Sequence, residues 1–400
     1  MVPITDCIYF YYCRTAAGSK EHSFPAGLGG RRMNKGILCE ACNNGFSELD
    51  GLLVRQLDLI NGLIGVRPDH ADSPKPARVT SALGPLTMDQ RGQPAFTAAR
   101  VLAGEHLADG SIRMSVGVEN QKQLQDWIEQ MRGQGIGIKL VDRRPAQIFL
   151  PTPLEGRWAF GGNDGFREIG RIAINFLATR WPGVARDEGL RPFKEFVRGV
   201  RTIGADEPRA VWYAPTDAFP LPESPFAFGH QVLVVLDPVS GEAYARVRLF
   251  SAFDVFVGFG RLSKLPSEAV LFDIDPLAER PPDDLRVTGL PPGRVPAVTH
   301  PPTAYEDMNE RLTLQVQSLF ARVEDRQWKV RTEGLLDAVN ATRELPVRER
   351  RDRLAELLQP HLGSILHLIR PAVRLHLGLQ PQERAPADRH VEHPALGRVA

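Results

Sequence analysis

The 400-residue sequence has few cysteines, few lysines and almost no net charge. Four residues are cysteine and eight are lysine, and the formal net charge at pH 7 is +1. This balance excludes the strongly basic proteins that attract nucleic acid over their whole surface. Any contact with nucleic acid would therefore have to be local.

The sequence also lacks a long hydrophobic run. Its longest apolar segments, such as 232–236 and 253–259, are far shorter than the roughly 20 residues that cross a bilayer. The first residues show neither the basic region nor the apolar stretch of a secretory signal. With 42% hydrophobic residues, the chain is expected to be a soluble globular protein of the cytoplasm, without membrane contact.

The pattern of apolar residues predicts an α+β fold. Apolar residues at helical spacing predict helices over 120–131 and 164–181. Three segments rich in β-branched and aromatic residues, at 232–236, 244–250 and 253–259, predict a β-meander. The middle of the chain is therefore expected to be a mixed α/β domain.

Changes in composition divide the chain into five predicted ranges. Proline-rich sequence without periodicity indicates an extended linker, and apolar residues alternating with charged ones at helical spacing indicate a helical bundle. The ranges are a compact module at 1–60, a mixed α+β domain of unknown role at 61–275, a linker at 276–304, a helical region at 305–379 and a disordered tail at 380–400.

All four cysteines lie near the start of the chain, as Cys7, Cys13, Cys39 and Cys42. Because no export signal is present, disulfide bonds are disfavoured, and two cysteine pairs separated by a loop are typical of a zinc site. Four thiolates leave no open position for water, so the predicted zinc is structural. It would hold together a module too small to fold on its own core.

Polar and glycine residues follow a definite order between and after the cysteine pairs. The order is Glu21-His22, Pro25, Gly29-Gly30, Asn34, then Cys39 and Cys42 followed by Asn43. Over about residues 5 to 57 this order resembles the HNH endonuclease family, whose zinc-stapled module has a ββα fold. One departure is the spacing of Cys7 and Cys13, which are separated by five residues where the family usually has about two.

The resemblance implies a metal-dependent enzyme that hydrolyses phosphodiester bonds of DNA, expected to be double-stranded. His22 would be the general base, because a neutral imidazole accepts a proton near neutral pH. Glu21 and Asn43 would hold the catalytic cation, Mg²⁺ or Mn²⁺, because oxygen ligands suit hard ions. Asn34 would hold the loop or the imidazole in position.

Basic residues are concentrated around this motif. Between positions 14 and 35 there are five basic residues and one acidic residue, Glu21. This local excess predicts a surface that contacts phosphates beside His22. The five are Arg14, Lys20, Arg31, Arg32 and Lys35.

Two other functions are compatible with the sequence. The module could have lost cutting and remain a zinc-dependent nucleic-acid-binding protein, although Glu21, His22, Asn34 and Asn43 are all present. Alternatively, the helical region 305–379 could bind a protein partner. The sequence leaves a homodimer open and does not identify the target, the preferred metal or the pathway.

Overall fold

The α+β class predicted from the sequence is confirmed by the computed structural model of the chain. Its described residues form eight α-helices and four sheets. By internal contacts, the chain divides into one unit of residues 1–144 and 148–330 and a second of residues 145–147 and 331–400. The structure describes residues 5–69, 71–82, 84–142, 159–200, 211–213, 221–262, 265–279, 285–290 and 305–358.

The N-terminal elements are a short helix, a two-stranded hairpin and two helices. They are α1 (Phe10–Cys13), β1 (Glu21–His22), β2 (Met33–Asn34), α2 (Glu40–Gln56) and α3 (Asp58–Ile64). Strands β1 and β2 are antiparallel, with Glu21 opposite Asn34 and His22 opposite Met33. Two short strands are thus followed directly by a helix.

Helix α2 forms where the sequence predicts an amphipathic segment. Phe46, Leu49 and Leu53 lie three and four residues apart and are all buried, as expected for the inward face of a surface helix. The helix ends at Gln56, and Leu57 separates it from α3.

Small antiparallel sheets and a helix follow. Strands β3 (Ala77–Ser81), β4 (Gly84–Met88) and β5 (Pro94–Phe96) form one sheet, and β6 (Arg100–His106) pairs with β7 (Ile112–Gly117). Helix α4 (Gln121–Gly133) confirms the helix predicted over 120–131. It begins where the Asn120 side chain accepts a hydrogen bond from the backbone N–H of Gln123, at 3.0 Å.

The largest sheet has six antiparallel strands in the order β13-β12-β9-β10-β11-β8. Strands β9, β10 and β11 are consecutive and adjacent, which confirms the predicted β-meander. Strand β13 lies inside the range 276–304, for which the sequence predicts a linker. The strands are β8 (Val211–Tyr213), β9 (His230–Asp237), β10 (Glu242–Leu249), β11 (Phe253–Arg261), β12 (Glu268–Ile274) and β13 (Leu285–Leu290).

Helix α5 (Gly162–Arg180) packs against this sheet and confirms the helix predicted over 164–181. It is followed by two short 3-10 turns and by helix α6 (Arg191–Arg198). The hydrophobic core formed by α5 and the sheet also includes Leu28 and Leu53 of the N-terminal elements. The first 60 residues therefore share a core with the sheet.

Two helices lie towards the C-terminus of the described chain, α7 (Tyr305–Ala341) and α8 (Val347–Leu358). Within the first unit, α7 buries Leu319 and Val323 in the core. The bundle over 305–379 stays a prediction, because residues 359–379 lie outside the described residues, as does the predicted tail 380–400. Among the described residues, no helix combines the length and apolarity needed to cross a membrane.

A buried histidine connects β9 to the glycine-containing loop, which is the segment between β1 and β2 that contains Gly29 and Gly30. His230 is fully buried, and its Nε2 lies 3.1 Å from the carbonyl oxygen of Leu28. Its Nδ1 accepts a hydrogen bond from the backbone N–H of Phe250, at 3.1 Å. Burial lowers the pKa of His230 from 6.5 to about 3. The imidazole is therefore neutral, donates to Leu28 and joins the sheet to the loop.

We expect acid to destabilise the fold through His230. Below pH 6.5 the unfolded chain takes up a proton that the folded chain cannot bind until about pH 3, so stability is lost across this window. This loss amounts to at most about 1.4 kcal/mol per pH unit. His230→Gln lacks the titration, so the stability advantage of the wild type over this variant should shrink between pH 7 and pH 4. Urea unfolding at each pH measures it, and a constant difference would contradict the expectation.

Candidate metal centre and catalytic site

The four cysteines, far apart in the sequence, meet at one place. Their Sγ atoms all lie within 4.8 Å of one another, and none forms a disulfide. Tetrahedral zinc, with Zn–S distances of about 2.3 Å, places its sulfur ligands about 3.8 Å apart. The cluster can therefore hold a structural metal such as zinc, as predicted for Cys7, Cys13, Cys39 and Cys42.

The five residues between Cys7 and Cys13 are accommodated by a helical turn. Helix α1 covers the last three of these residues and Cys13, and the N–H of Cys13 donates to the carbonyl of Tyr9 at 3.3 Å. Arg14, in a left-handed conformation with φ of 50°, ends the turn. The turn brings Cys13 back beside Cys7. The five-residue spacing, although wider than in the family that the sequence resembles, therefore does not separate these two sulfurs from the cluster.

Backbone hydrogen bonds join the two cysteine segments. Cys39 is the residue before α2 and Cys42 lies in its first turn, so the start of this helix positions both sulfurs. The N–H of Ile8 donates to the carbonyl of Ile37 at 3.0 Å, and that of Gly18 to Leu38 at 3.0 Å. The first segment is therefore held against the residues that precede α2.

Contacts among the four cysteines favour the thiolate form of Cys7 over those of Cys13 and Cys42. A hydrogen bond from the thiol of Cys42 lowers the pKa of Cys7 to about 5, helped by backbone hydrogen bonds from Cys39 and Tyr9. Burial raises the pKa of Cys13 to about 11, and the hydrogen bond to Cys7 raises that of Cys42. At neutral pH the cluster therefore carries a thiolate, the form that binds zinc.

Strand β1 directs its two polar residues to different partners. Glu21 is buried and its carboxylate accepts hydrogen bonds from Arg171 and, at 3.5 Å, from Nδ2 of Asn175, both on α5. His22 is half-buried, and its Nε2 lies 3.3 Å from Oδ2 of Asp69. Since neighbouring residues of a strand point to opposite sides, the buried acid faces α5 and the imidazole faces Asp69.

The Glu21 side of the hairpin packs on a row of polar residues of α5. Glu21 and Asn34 are opposite each other across β1 and β2, so their side chains share one side. The Asn34 amide donates to Oγ1 of Thr179 at 3.4 Å, while Oδ1 of Asn34 accepts from the N–H of Gly36 at 2.7 Å. Asn34 thus connects the loop after β2 to α5.

A buried ion cluster lies at the centre of this contact. The guanidinium of Arg171 pairs with Glu21 of β1, Asp50 of α2 and Glu168 of its own helix. Burial raises the pKa of Glu168 well above its usual range and raises that of Glu21. Three carboxylates surround one guanidinium, so the fully ionised cluster has two negative charges in excess. This excess adds to burial in raising the pKa of Glu168, because the charge of Asp50 disfavours a second carboxylate beside it.

The other predicted site residues have different surroundings. Asn43, in the first turn of α2, donates from Nδ2 to Oγ of Ser19 at 2.8 Å and to the carbonyl of Lys20 at 3.3 Å. Its amide therefore fixes the chain that enters β1. Among the predicted phosphate contacts, the exposed residues are Arg14, Lys20, Arg32 and Lys35.

Arg31, predicted to contact phosphate, is buried instead. Its side chain is 2% exposed, and its guanidinium donates to the carbonyls of Ala278 at 3.2 Å and Arg67 at 2.6 Å. It also lies 3.6 Å from a carboxylate oxygen of Asp69. These contacts hold the guanidinium inside the protein, so we assign Arg31 a structural role next to the carboxylate that contacts His22.

The sequence motif does not include Asp69, Arg171 or Asn175, which the structure brings to His22 and Glu21. Asp69 lies beyond the motif, and nothing in the local sequence connects it to His22. For Arg171 and Asn175 a signal did exist, because both lie on α5 among the apolar residues of its inward face. A charged residue that is buried usually has a buried partner, so this position could have been marked for one.

Comparison with known proteins does not assign this chain to a group. No family model, no curated protein and no solved structure matches it. Its function must therefore be inferred from its own residues.

We expect the purified full-length chain to contain stoichiometric zinc, and Cys39→Ser to lose most of it. Without metal, the four close sulfurs repel one another as they ionise, so chelation should also lower the melting temperature. Metal analysis and thermal unfolding measure both effects. Ser47→Ala, on the exposed side of α2, is the control and should retain zinc. Full zinc content in Cys39→Ser would contradict the assignment.

Arg171→Met should reduce the free energy of unfolding by about 3–5 kcal/mol, because it leaves buried carboxylates without their counter-charge. Chemical denaturation at pH 7 measures this loss. The double variant with Glu168→Gln should lose less, since one buried charge is removed with the cation. Arg180→Met, on the same helix but with a 53% exposed side chain, should lose less than about 1 kcal/mol. Equal losses at positions 171 and 180 would exclude a central role for the cluster.

Proposed function

We propose that the chain is an HNH-type endonuclease that hydrolyses phosphodiester bonds of DNA, with His22 as the general base. The observation that carries the proposal is the order of the elements β1, β2 and α2, which matches the ββα order of that family. These elements lie beside the tetracysteine cluster, formed by Cys7, Cys13, Cys39 and Cys42. Within these elements, His22 is half-buried on β1 rather than enclosed in the core. An imidazole in this position can reach a water next to a bound phosphate.

Asp69 gives His22 a chemical form suited to accepting a proton. With the carboxylate of Asp69 as acceptor, the Nε2–H of His22 donates and the lone pair of the ring lies on Nδ1. The same carboxylate stabilises the imidazolium once a proton has been taken. Asp69 is itself positioned by Arg31. We therefore assign Asp69 as the positioning residue of the general base.

The proposed cation would be held by Glu21 and Asn43. The chemistry of the donors supports the fit, because carboxylate and amide oxygens are ligands that hard cations prefer. When bound, Mg²⁺ or Mn²⁺ would offset the charge that develops on the phosphate. Arg171 already pairs with Glu21, so the carboxylate would be shared between guanidinium and cation.

The exposed basic residues support DNA as the substrate. Arg14, Lys20, Arg32 and Lys35 all come from the loops around β1 and β2 and are exposed. Cationic side chains in this region can neutralise backbone phosphates without reading the base sequence. Double-stranded DNA remains our preferred substrate form, and the homodimer and the cytoplasmic location remain proposals.

A second candidate is a zinc-dependent nucleic-acid-binding protein that does not cut. The observation that favours it is the buried pairing of Glu21 with Arg171, which neutralises part of the negative charge a catalytic cation needs. In this case the basic loops would bind DNA, and neither Mg²⁺ nor Mn²⁺ would produce a break.

Plasmid nicking in the presence of Mg²⁺ or Mn²⁺ tests the proposal. His22→Ala should reduce the rate by about 10²–10⁴-fold, the usual contribution of a general base, whereas Asp69→Asn should lower kcat less and leave KM unchanged. His106→Ala, which removes an exposed histidine of β6, is the matched control. All variants must retain zinc. DNA binding without nicking by the wild type would instead support the second candidate.

A further inference from the structure

A cationic side chain of α6 lies against the tetracysteine cluster. Nη1 of Arg198 lies 3.8 Å from Sγ of Cys42, although the two residues are 156 positions apart in the sequence. The guanidinium also stacks on the ring of Tyr12, 4.6 Å from its centre. Arg198 therefore contacts both cysteine segments, through a sulfur of the second and through the residue before Cys13 in the first.

A second cation of α6 is enclosed without a hydrogen-bond acceptor. Lys194 is fully buried, and its Nζ has no partner among the described residues. Removing an ammonium from water is costly unless negative charge lies close to it. Burial and the charge of Arg186 lower the pKa of Lys194 to about 8, whereas the charges of Asp187 and Cys7 favour the ammonium form.

A third cation joins the backbones of the two cysteine segments. Arg186, in the turn before α6, is buried and donates from Nε to the carbonyl of Asp6 at 2.7 Å. Its Nη2 donates to the carbonyl of Gly36 at 2.8 Å. One guanidinium thus fixes the residue before Cys7 and a residue of the loop before Cys39.

The charge of a zinc centre explains why three cations gather here. Zinc with four thiolates carries two negative charges, and burying such a dianion requires compensating positive charge or hydrogen bonds. Arg198 supplies a donor to Cys42, Lys194 supplies a buried ammonium one helical turn before Arg198 on α6, and Arg186 joins the two backbones. Simple packing would account for Arg198 on Tyr12 but not for an unpaired ammonium in the interior.

We propose that Arg198, Lys194 and Arg186 complete the zinc centre, so that the metal is retained by a segment outside the cysteine-containing module. Arg198 stabilises the thiolate of Cys42, Lys194 compensates the charge of the dianion, and Arg186 holds the two segments together. The zinc affinity therefore depends on residues 186–198 as well as on the four ligands. This holds whether or not the chain cuts DNA.

Release of zinc from the full-length chain to a chelating indicator tests this assignment. Substitution of groups that support metal ligands typically lowers metal affinity by about 10–100-fold, and we expect this range for Arg198→Gln and Lys194→Met. Arg198→Lys keeps the charge but loses the planar fork, so its affinity should lie between that of the wild type and that of Arg198→Gln. Because the proposal predicts the order of zinc affinities among several variants, the remaining variants still test it if one of them folds poorly.

Arg261→Gln is the matched control, since it removes one positive charge from a side chain that is 81% exposed on β11. Its zinc affinity should equal that of the wild type. Circular dichroism of each zinc-loaded variant establishes that the fold is retained. Affinities of folded Arg198→Gln and Lys194→Met within about 2-fold of the control, well below the range for supporting groups, would overturn the proposal. Reduced zinc affinity of both variants, in a protein whose wild type shows no nicking, would support the zinc proposal and contradict only the proposed nuclease activity.

Discussion

The convergence of four sulfur atoms constrains the whole N-terminal part of this protein. Cys7 lies shortly before helix α1, Cys13 ends it, and Cys39 and Cys42 lie at the start of α2. This arrangement places every ligand atom within 4.8 Å of the others. Between these pairs the chain forms two short strands and a glycine-containing loop, and its buried apolar side chains, such as Phe24 and Leu28, belong to the core that is shared with the sheet. A metal at this cluster would fix where β1 begins relative to α2, and hence where Glu21, His22 and Asn43 lie.

The cysteine-containing region is nevertheless not self-sufficient. Arg171 of α5 pairs with carboxylates of β1 and α2, and His230 of β9 binds the carbonyl of Leu28. Both contacts are buried, where a broken polar interaction costs more than at the surface. The large sheet and α5 thus act as a support for the short strands. This arrangement explains how a hairpin of two-residue strands can be held in a defined position.

The two sides of β1 have distinct electrostatic surroundings. On one side, Glu21 belongs to a cluster with excess negative charge; on the other, His22 contacts Asp69. The acid and the imidazole therefore face different sides of one short strand, and the exposed basic loops lie in the same part of the chain. The buried cluster around Arg171 also favours the second candidate function, a nucleic-acid-binding protein that does not cut, because Arg171 balances the charge of Glu21 without a metal.

The sequence by itself determined the cysteine cluster, the α+β class, the helices α4 and α5 and the meander of β9, β10 and β11. These features follow from local patterns: periodic apolar residues, turn residues and paired cysteines. Only the tertiary structure decided that Asp69 contacts His22, that Arg171 neutralises Glu21, and that Arg31 is buried rather than available to phosphate. Such contacts join residues as many as 247 positions apart, and packing, not local sequence, selects which charged groups are enclosed together.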